Sequence, residues 1–192
     1  MGLQKTGTKT IGDALRVLGH RVASWSGDSA NFTLRWHEKA FTPEMAKTVA
    51  GHDAFEDWPW PLLFEKLDHL EPNARFVLTI RKDPETWLRS VQAHFARHSR
   101  WVGHYLIYGS YDPVADADKF LGFYERHNRS VRAYFRDRPG KLLEMCFETG
   151  DGWPELCGFL GVSQTPTVPF PHANKTIVDI EEQSRRYQQR LK

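Results

Sequence analysis

The sequence predicts an α/β fold in three layers, with a parallel sheet flanked by helices. Short β-branched and aromatic runs alternate along the chain with amphipathic stretches of helical period. Strands that alternate with helices pair in parallel through right-handed crossovers, and their ligands bind beyond the carboxyl ends of the strands. The 192 residues make up about one domain, and no repeat or low-complexity block divides them.

The first element is a helix over residues 8–18, because Ile11, Ala14, Leu15 and Leu18 recur at helical spacing and Gly19 ends the run. The later elements follow from the same kinds of pattern. They are a strand near 21–25, a helix from Pro43, a short strand over 52–56, a helix over 61–70, a strand over 75–80 with its helix from Pro84, a helix over 117–136, a strand over 141–147 and a helix from Trp153. We expect residues 1–175 to form the domain and 176–192 to form a polar C-terminal helix or tail.

The composition is typical of a soluble globular enzyme, with 40% hydrophobic, 13% aromatic and 26% charged residues. A net charge of +2 is too small to indicate a nucleic-acid partner. Cys146 and Cys157 lack metal-ligand spacing and are expected to be reduced, buried thiols. The sequence shows neither a long apolar span nor a leader, so we expect a cytoplasmic protein without a membrane partner.

Residues 2–10 form a run of glycine, hydroxyl and lysine residues directly before the first helix. Amides at a helix start lack intrahelical acceptors and lie at the positive end of the helix dipole, so the run predicts an anion-binding loop. A plain solvated turn is the alternative. The nucleoside-triphosphate pattern G-x-x-x-x-G-K-[ST] fits Gly2 and Gly7, but Thr8 separates them from Lys9, so the match is off by one.

The run resembles the phosphosulfate loop of the sulfotransferases, P-K-[ST]-G-T-[TS]. Gln4 stands where that family usually has proline, and Lys9 where it often has a second hydroxyl residue. The resemblance implies that this loop binds 3′-phosphoadenosine 5′-phosphosulfate (PAPS) as co-substrate, with no metal. The residues implied are Lys5, Thr6, Gly7, Thr8, Lys9 and Thr10.

A second segment, over residues 74–90, reads as a buried strand that ends at Arg81, followed by a helix that carries Ser90. This arrangement resembles the sulfotransferase site for the 3′-phosphate of PAPS. A guanidinium fork and a nearby hydroxyl suit phosphate oxygens. In that family the interval between the strand-end arginine and the helix serine is usually one residue shorter. Lys82 is therefore a candidate insertion, and Arg89 is a candidate to share the contact with the 3′-phosphate. A solvated charge at the strand end is the alternative for Arg81.

A third segment resembles the C-terminal region of small bacterial sulfotransferases, with W-x-x-L-C-x-F-L-G from Trp153 and P-F-P-H-x-N from Pro169. The apolar residues of the first motif have helical spacing and are predicted core. Asn174 and Lys175 are either surface residues or contacts to the adenosine and phosphate. The three matches span residues 2–175 in the family's order and imply a P-loop-type sheet.

Sulfuryl transfer needs a base for the acceptor's proton and a cation for the oxygens that gain charge. Lys5 suits the second role. Asp57 precedes Trp58-Pro59 in the frame where cytosolic sulfotransferases carry a catalytic histidine, so the resemblance implies that Asp57 is the base. Capping ahead of the prolines is the alternative for Asp57, and Glu56 and then His94 are the next candidates.

His94 and His98 lie at i, i+4 on one predicted helix, and we expect them on a solvated face rather than in a metal site. Residues 99–113 are the candidate lid over the acceptor. The expected function is sulfuryl transfer from PAPS to a hydroxyl or amine on a small-molecule or glycan-like acceptor. A P-loop small-molecule kinase and a non-catalytic adenosine-nucleotide-binding protein remain the alternatives. In this fold a buried first strand precedes the phosphate loop, and we expect that strand to be missing or truncated here.

Overall fold

The computed structural model describes residues 1–24, 42–98, 101–172 and 188–189. The helices of these ranges are α1 (Thr8–Val17), α2 (Pro43–Gly51), α3 (Phe64–Leu70), α4 (Pro84–Phe95), α5 (Val102–Tyr108), α6 (Ala117–Phe135) and α7 (Trp153–Leu160). The strands are β1 (Val22–Ala23), β2 (Ala54–Phe55), β3 (Phe76–Thr79) and β4 (Leu142–Met145). Short 3-10 turns lie at Trp60–Leu63 and Phe147–Thr149.

The helix predictions are confirmed nearly to the residue for α1 and α6. The predicted helix over 61–70 is divided, because Pro59 and Pro61 lack amide hydrogens and a 3-10 turn precedes α3. Residues 102–108 of the candidate lid over 99–113 form the helix α5 rather than a loop, and the lid role of this segment stays a prediction. Tyr108 is 5% exposed and belongs to the core. Most of the predicted tail over 176–192 lies outside the described residues.

The predicted parallel pairing is confirmed, but these strands form two separate two-stranded sheets instead of one. In one sheet Val22 of β1 lies opposite Ala54 of β2. In the other, β3 and β4 pair over four residues, from Phe76 opposite Leu142 to Thr79 opposite Met145. The parallel strands and their flanking helices give the protein its α/β character. The two sheets do not join, because a cavity separates β2 from β3.

An aromatic core anchors the start of the chain. Trp87 of α4 stacks on Tyr124 of α6, with ring centroids 4.4 Å apart. Leu3 and Trp58 are buried in the same cluster, so the backbone before α1 is fixed by packing. Burial of such large side chains stabilises each position by a few kcal/mol, on the order of 1.5–3 each.

A second core cluster holds α1 against β4 and α7. It contains the predicted core residues Trp153 and Leu156, and it also buries Cys157. Cys146 and Cys157 are both free and buried, as predicted. Across the described ranges, no helix is both long and apolar enough to cross a membrane.

Candidate functional site

The carboxyl ends of β2, β3 and β4 open onto one cavity of about 1150 Å³. Residues that follow all three strands line this cavity, so a ligand here lies at the strand ends, where α/β folds bind theirs. The walls come from the loop before α1, from the three strand ends, from α4 and α5, and from the C-terminal segment. The lining residues that the sequence predicted as site residues are Lys5, Thr6, Gly7, Thr8, Lys9, Thr10, Asp57, Arg81 and Ser90.

The loop before α1 is pinned to the end of β3. The Thr6 hydroxyl lies 2.6 Å from the Leu3 carbonyl oxygen and 2.7 Å from the Thr79 hydroxyl. Lys5 and Gly7 have positive φ, of 67° and 99°, which turns the chain sharply into the helix. A Cβ on Gly7 would lie 2.6 Å from the ring of Phe147, so the position requires glycine. The loop is thus a rigid element.

Gln4, where the family usually has proline, is a buried hydrogen-bonding hub. Its carboxamide oxygen accepts from the Trp58 indole at 3.1 Å, and its amide nitrogen donates to the Tyr108 hydroxyl at 3.3 Å. Its backbone carbonyl accepts from the Trp87 indole at 2.9 Å. At the position where the family usually has proline, Gln4 therefore ties the loop to three aromatic side chains.

The N-terminus of α1 faces the cavity. Its N-cap residue is Gly7, which has no side chain with which to cap the helix, and the first turn contains no acidic residue. Helices leave their first amides without intrahelical acceptors, at the positive end of the dipole. The Lys9 ammonium lies 3.3 Å from Asp13, one turn further along the helix. The arrangement favours an anion at this point.

Lys5 lies in a positively charged environment. Burial lowers the pKa of its ammonium, and the charges of Arg97 and Arg81 lower it further, while Asp57 raises it. An anion in the cavity would relieve this repulsion between cations. Lys5 therefore gains more from a bound anion than an isolated surface lysine would.

Arg81 is held in a fixed orientation at the end of β3. Its guanidinium donates to the Lys5 carbonyl at 3.1 Å and to both carboxylate oxygens of Glu148, at 2.7 and 3.0 Å. The Lys82 amide also donates to Glu148, at 3.0 Å. The strand-end solvated charge considered for Arg81 is thus not what the structure shows. Glu148 was missed, although its position directly after the predicted strand over 141–147 was an available signal.

Ser90 and Arg89 differ in position although they are adjacent on α4. Ser90 lines the cavity, whereas Arg89 is turned away and donates to the Thr86 hydroxyl at 2.7 Å. The sequence-based suggestion that Arg89 shares the phosphate contact is therefore wrong for this structure.

Asp57 lies at the end of β2 with φ of 63°. Burial and then the negative charge of Glu56 raise the pKa of its carboxyl to about 6, against the opposing effects of the Trp58 amide and Lys5. One carboxylate oxygen accepts from the adjacent Trp58 amide at 2.8 Å. The 3-10 turn that follows has Pro59 as its N-cap residue and no side-chain capping bond, so the capping interpretation of Asp57 is not what the structure shows. A carboxylate with this pKa is largely ionised at neutral pH and is a stronger base than an ordinary aspartate.

Glu56, the second candidate base, does not line this cavity. It is 6% exposed, and one of its oxygens accepts from the Ser24 hydroxyl at 2.5 Å. Its other oxygen is buried and has no hydrogen-bond partner among the described residues. Glu56 lines the cavity between the two sheets instead, whereas Asp57, which follows it with positive φ, lines the cavity at the strand ends.

Histidines also line the cavity, where the sequence predicted a solvated face. His94 and His98 have ring centroids 4.3 Å apart. Burial and the neighbouring positive groups lower the pKa of His94 to about 4. His104 is 6% exposed, and its Nδ1 has no hydrogen-bond partner within the described ranges. In the part of the chain that the structure describes, no group of three or more His, Cys, Asp or Glu residues is arranged to hold a metal ion.

The C-terminal segment closes the cavity beside the loop. Phe170 packs on Trp153 and Phe147, with centroid distances of 4.9 and 5.5 Å. Pro171 and His172 also line the cavity. The candidate contacts Asn174 and Lys175 lie outside the described residues.

The fold and the cavity together define an α/β protein in which a glycine- and lysine-containing loop before the first helix lies at the carboxyl ends of the strands. The sulfotransferase domain family matches residues 1–118 and 104–177, and the chain belongs to this family. No curated protein matches the chain. Membership makes the protein a transferase of the sulfuryl-transferring class that acts on a small-molecule acceptor.

Proposed function

We propose that this protein transfers a sulfuryl group from PAPS to a hydroxyl or amine of its acceptor. The observation that carries the proposal is that the loop over residues 4–10, Arg81 and Asp57 line one cavity. These residues lie far apart in sequence, and the fold brings together an anion cradle, a guanidinium and a base. The proposal includes a three-layer arrangement of the P-loop type, in which the cavity lies at the carboxyl ends of the strands.

The donor's phosphosulfate is assigned to the loop and its 3′-phosphate to Arg81 and Ser90. Arg81 supports this assignment because its fork already holds the two oxygens of a carboxylate, an arrangement that a phosphate also offers. Lys5 and the start of α1 supply the positive charge and amides for the second anionic group. With Lys5 at the phosphosulfate and Arg81 at the 3′-phosphate, a cation at each end of the donor would fix its orientation in the cavity.

The transfer is an in-line displacement at sulfur. The acceptor oxygen or nitrogen forms the new bond to sulfur, and the bond between sulfur and the bridging phosphate oxygen breaks. The acceptor's proton passes to the Asp57 carboxylate, and the electron pair of the broken bond stays on the phosphate. Lys5 stabilises the negative charge that develops on the bridging oxygen, which is the kind of interaction that strengthens in the transition state.

Isothermal titration calorimetry with 3′-phosphoadenosine 5′-phosphate, compared with ATP in the presence of Mg²⁺, tests the donor assignment. We expect the 3′-phosphorylated nucleotide to bind at least about 10-fold more tightly, because the Arg81 site is specific for the extra phosphate. Preference for ATP with Mg²⁺ would instead establish the kinase alternative.

A transfer assay with radiolabelled PAPS tests the activity itself. The acceptors are a phenol, an aliphatic alcohol, a monosaccharide and a primary amine. We expect label in at least one product, and loss of that label in the Asp57→Asn variant. Nucleotide binding without transfer to any acceptor class would favour the non-catalytic alternative.

A further inference from the structure

One hydrogen bond joins the two segments that carry the proposed cation and the proposed base. The indole nitrogen of Trp58 donates to the carboxamide oxygen of Gln4 at 3.1 Å, across 54 residues of sequence. Gln4 directly precedes Lys5, and Trp58 directly follows Asp57. Both bonded side chains are buried, and a hydrogen bond shielded from water is stronger than one at the surface. The loop before α1 and the end of β2 are therefore tied together beside the two residues that face the cavity.

The residues next to this bond have an unfavourable backbone conformation. Lys5 has φ of 67° and Asp57 has φ of 63°, and in the part of the chain that the structure describes they are the two non-glycine residues with positive φ. Residues with a Cβ disfavour this region and remain in it where the surrounding contacts impose it, which occurs mostly at functional sites. Contacts close to Lys5 and Asp57 must therefore hold both conformations, and the bond between Gln4 and Trp58 adjoins both.

The carboxamide of Gln4 is fixed at both of its polar atoms. An indole nitrogen can only donate, so it pairs with the amide oxygen, and the amide nitrogen donates to the Tyr108 hydroxyl at 3.3 Å. The backbone carbonyl of Gln4 accepts from the Trp87 indole at 2.9 Å. With its side chain and its backbone both held, Gln4 is a fixed point from which the position of Trp58 is set.

The donor contacts are built from other groups. The 3′-phosphate is assigned to Arg81 and Ser90, and Arg81 also donates to the Lys5 carbonyl at 3.1 Å. None of these contacts uses the Gln4 carboxamide, whose two polar atoms are already occupied. A change at Gln4 should therefore leave the donor-binding groups in place and act on the base, which is connected to the loop through Trp58.

We propose that Gln4 is a positioning residue that sets the placement of Asp57 relative to Lys5 through the Trp58 indole. The inference rests on the proposed function, in which Asp57 takes the acceptor's proton and Lys5 supports the bridging oxygen. Both groups act at one sulfur atom, so their separation decides whether the acceptor is aligned for in-line attack. A displacement of about 1 Å at a reacting group costs on the order of 100-fold in rate. In this role Gln4 itself contacts no reacting atom.

Steady-state kinetics of two variants test the proposal. Gln4→Leu removes the acceptor of the bond, and Trp58→Phe removes its donor while an aromatic ring is kept. For each variant we expect kcat to fall about 10- to 100-fold and KM for PAPS to stay within about 3-fold of wild type. The matched control is Trp153→Phe, which removes an indole hydrogen bond of 2.8 Å, to the Val168 carbonyl, from a buried tryptophan that does not line the cavity.

The double variant Gln4→Leu/Trp58→Phe distinguishes one shared role from two separate ones. Because both substitutions break the same bond, the double variant should lose about as much in kcat as the more damaged single variant. Losses that multiply would overturn the proposal, as would a kcat within about 3-fold of wild type in both single variants once circular dichroism shows that they fold. An equal fall of kcat in Trp153→Phe would also overturn it, because general loosening of the core would then be sufficient.

Amide hydrogen exchange tests the same coupling without turnover. The Trp58 amide donates to the Asp57 carboxylate at 2.8 Å, and the Thr6 amide donates within the loop at 3.2 Å. We expect Gln4→Leu to speed exchange at the Trp58 amide, and Trp58→Phe to speed exchange at the Thr6 amide, by about 10-fold or more in each case. Each effect crosses from one segment to the other, which a purely local change does not produce.

The positioning role and the proposed function fail in different ways. Exchange at both amides that stays within about 3-fold of wild type, or that rises equally in Trp153→Phe, would overturn the positioning role whatever the activity. A wild-type protein that transfers to no acceptor would instead contradict the proposed function. In that case the exchange result alone decides whether Gln4 fixes Asp57 relative to Lys5.

Discussion

Arg81 and Glu148 form a bidentate ion pair inside the candidate donor site, with nitrogen–oxygen distances of 2.7 and 3.0 Å. The two residues end neighbouring strands, and the Lys82 amide adds a third hydrogen bond to the same carboxylate. Burial raises the pKa of Glu148, but the hydrogen bonds from Arg81 and the Lys82 amide, together with the charges of these two residues, outweigh it and lower the pKa, so the carboxylate remains charged at neutral pH. Glu148 therefore occupies the donors that we assign to the 3′-phosphate, and a phosphate that binds there must compete with it.

Replacement of Glu148 by glutamine should strengthen the binding of 3′-phosphoadenosine 5′-phosphate, because it removes the competing charge and leaves Arg81 in place. We expect a gain of roughly 3- to 10-fold, the scale of one weakened charged hydrogen bond. Calorimetric titration measures it. The matched control is Glu144→Gln, which breaks a similar arginine pair with Arg132 outside the cavity. Weaker binding in Glu148→Gln would show instead that Glu148 positions Arg81.

Arg81→Ala and Ser90→Ala should weaken binding of the 3′-phosphorylated nucleotide far more than that of its analogue without this phosphate. A lost charged hydrogen bond costs roughly 1.5–3 kcal/mol, or about 10- to 150-fold in affinity. The measurement is the ratio of the two dissociation constants for each variant. Arg132→Ala is the control for loss of an arginine. Equal weakening for both nucleotides would mean that the residues act through the fold.

Lys5→Ala should lose transfer while the fold survives, because the ammonium supports charge that develops in the reaction and contributes little packing. The expected loss in kcat/KM is about 100-fold or more. Steady-state kinetics with circular dichroism as the folding check provide the measurement. Lys119→Ala, which breaks an exposed pair with Asp116 away from the cavity, serves as the control. Unchanged turnover in folded Lys5→Ala would remove this lysine from the mechanism.

Asp57→Asn should retain nucleotide affinity and lose about 100- to 10,000-fold in transfer rate, because asparagine accepts no proton. Asparagine also tolerates positive φ, so the backbone at this position can be kept. In the wild type, kcat/KM should rise with pH through about 6, where the carboxyl loses its proton, and the variant should lack that rise. A near wild-type rate would assign the base elsewhere, and His94, on the cavity wall, is then the next residue to replace.

Stability gives an independent check on the pKa of Asp57. The folded state raises this pKa from its ordinary value of 3.8 to about 6, so the folded protein binds the proton more tightly than the unfolded chain does. The contribution of this group to stability is thus greatest below pH 4 and falls as the pH rises from about 4 to 6. Asp57→Asn lacks this fall. The difference in melting temperature, variant minus wild type, should therefore be greater at pH 7 than at pH 4. The reverse order would contradict the raised pKa.

Gln4→Leu should destabilise the protein by about 1–3 kcal/mol, because it leaves the buried Trp58 indole without its acceptor. Chemical denaturation measures the change in the free energy of unfolding. Gln92→Leu is the control, since Gln92 makes one hydrogen bond, to the Pro113 carbonyl, from a partly exposed side chain. Equal effects in the two variants would show that the Gln4 network adds nothing beyond a single hydrogen bond.

Local pattern alone predicted most helices and the place of the anion loop. The spacing of apolar residues and the identity of capping residues determine a helix through contacts within a few turns. For this reason α1, α4 and α6 begin where the sequence indicates. Strand runs that alternate with such helices also predicted parallel pairing, which both sheets show. The glycine that both loop patterns place at position 7 has positive φ at the start of α1, and the ring of Phe147 shows why no larger residue fits there.

Long-range contacts determined the rest. The sequence placed Arg81 at a strand end but could not show that Glu148, 67 residues later, would pair with it. It placed His94 on a helix face but not toward the cavity, because that orientation depends on how α4 and α6 pack. The sequence by itself determined the elements, the loop chemistry and the family resemblance, all of which are local. The tertiary structure decided which charges meet, which base candidate reaches the cavity and where the sheet is interrupted, because those depend on the packing of distant segments.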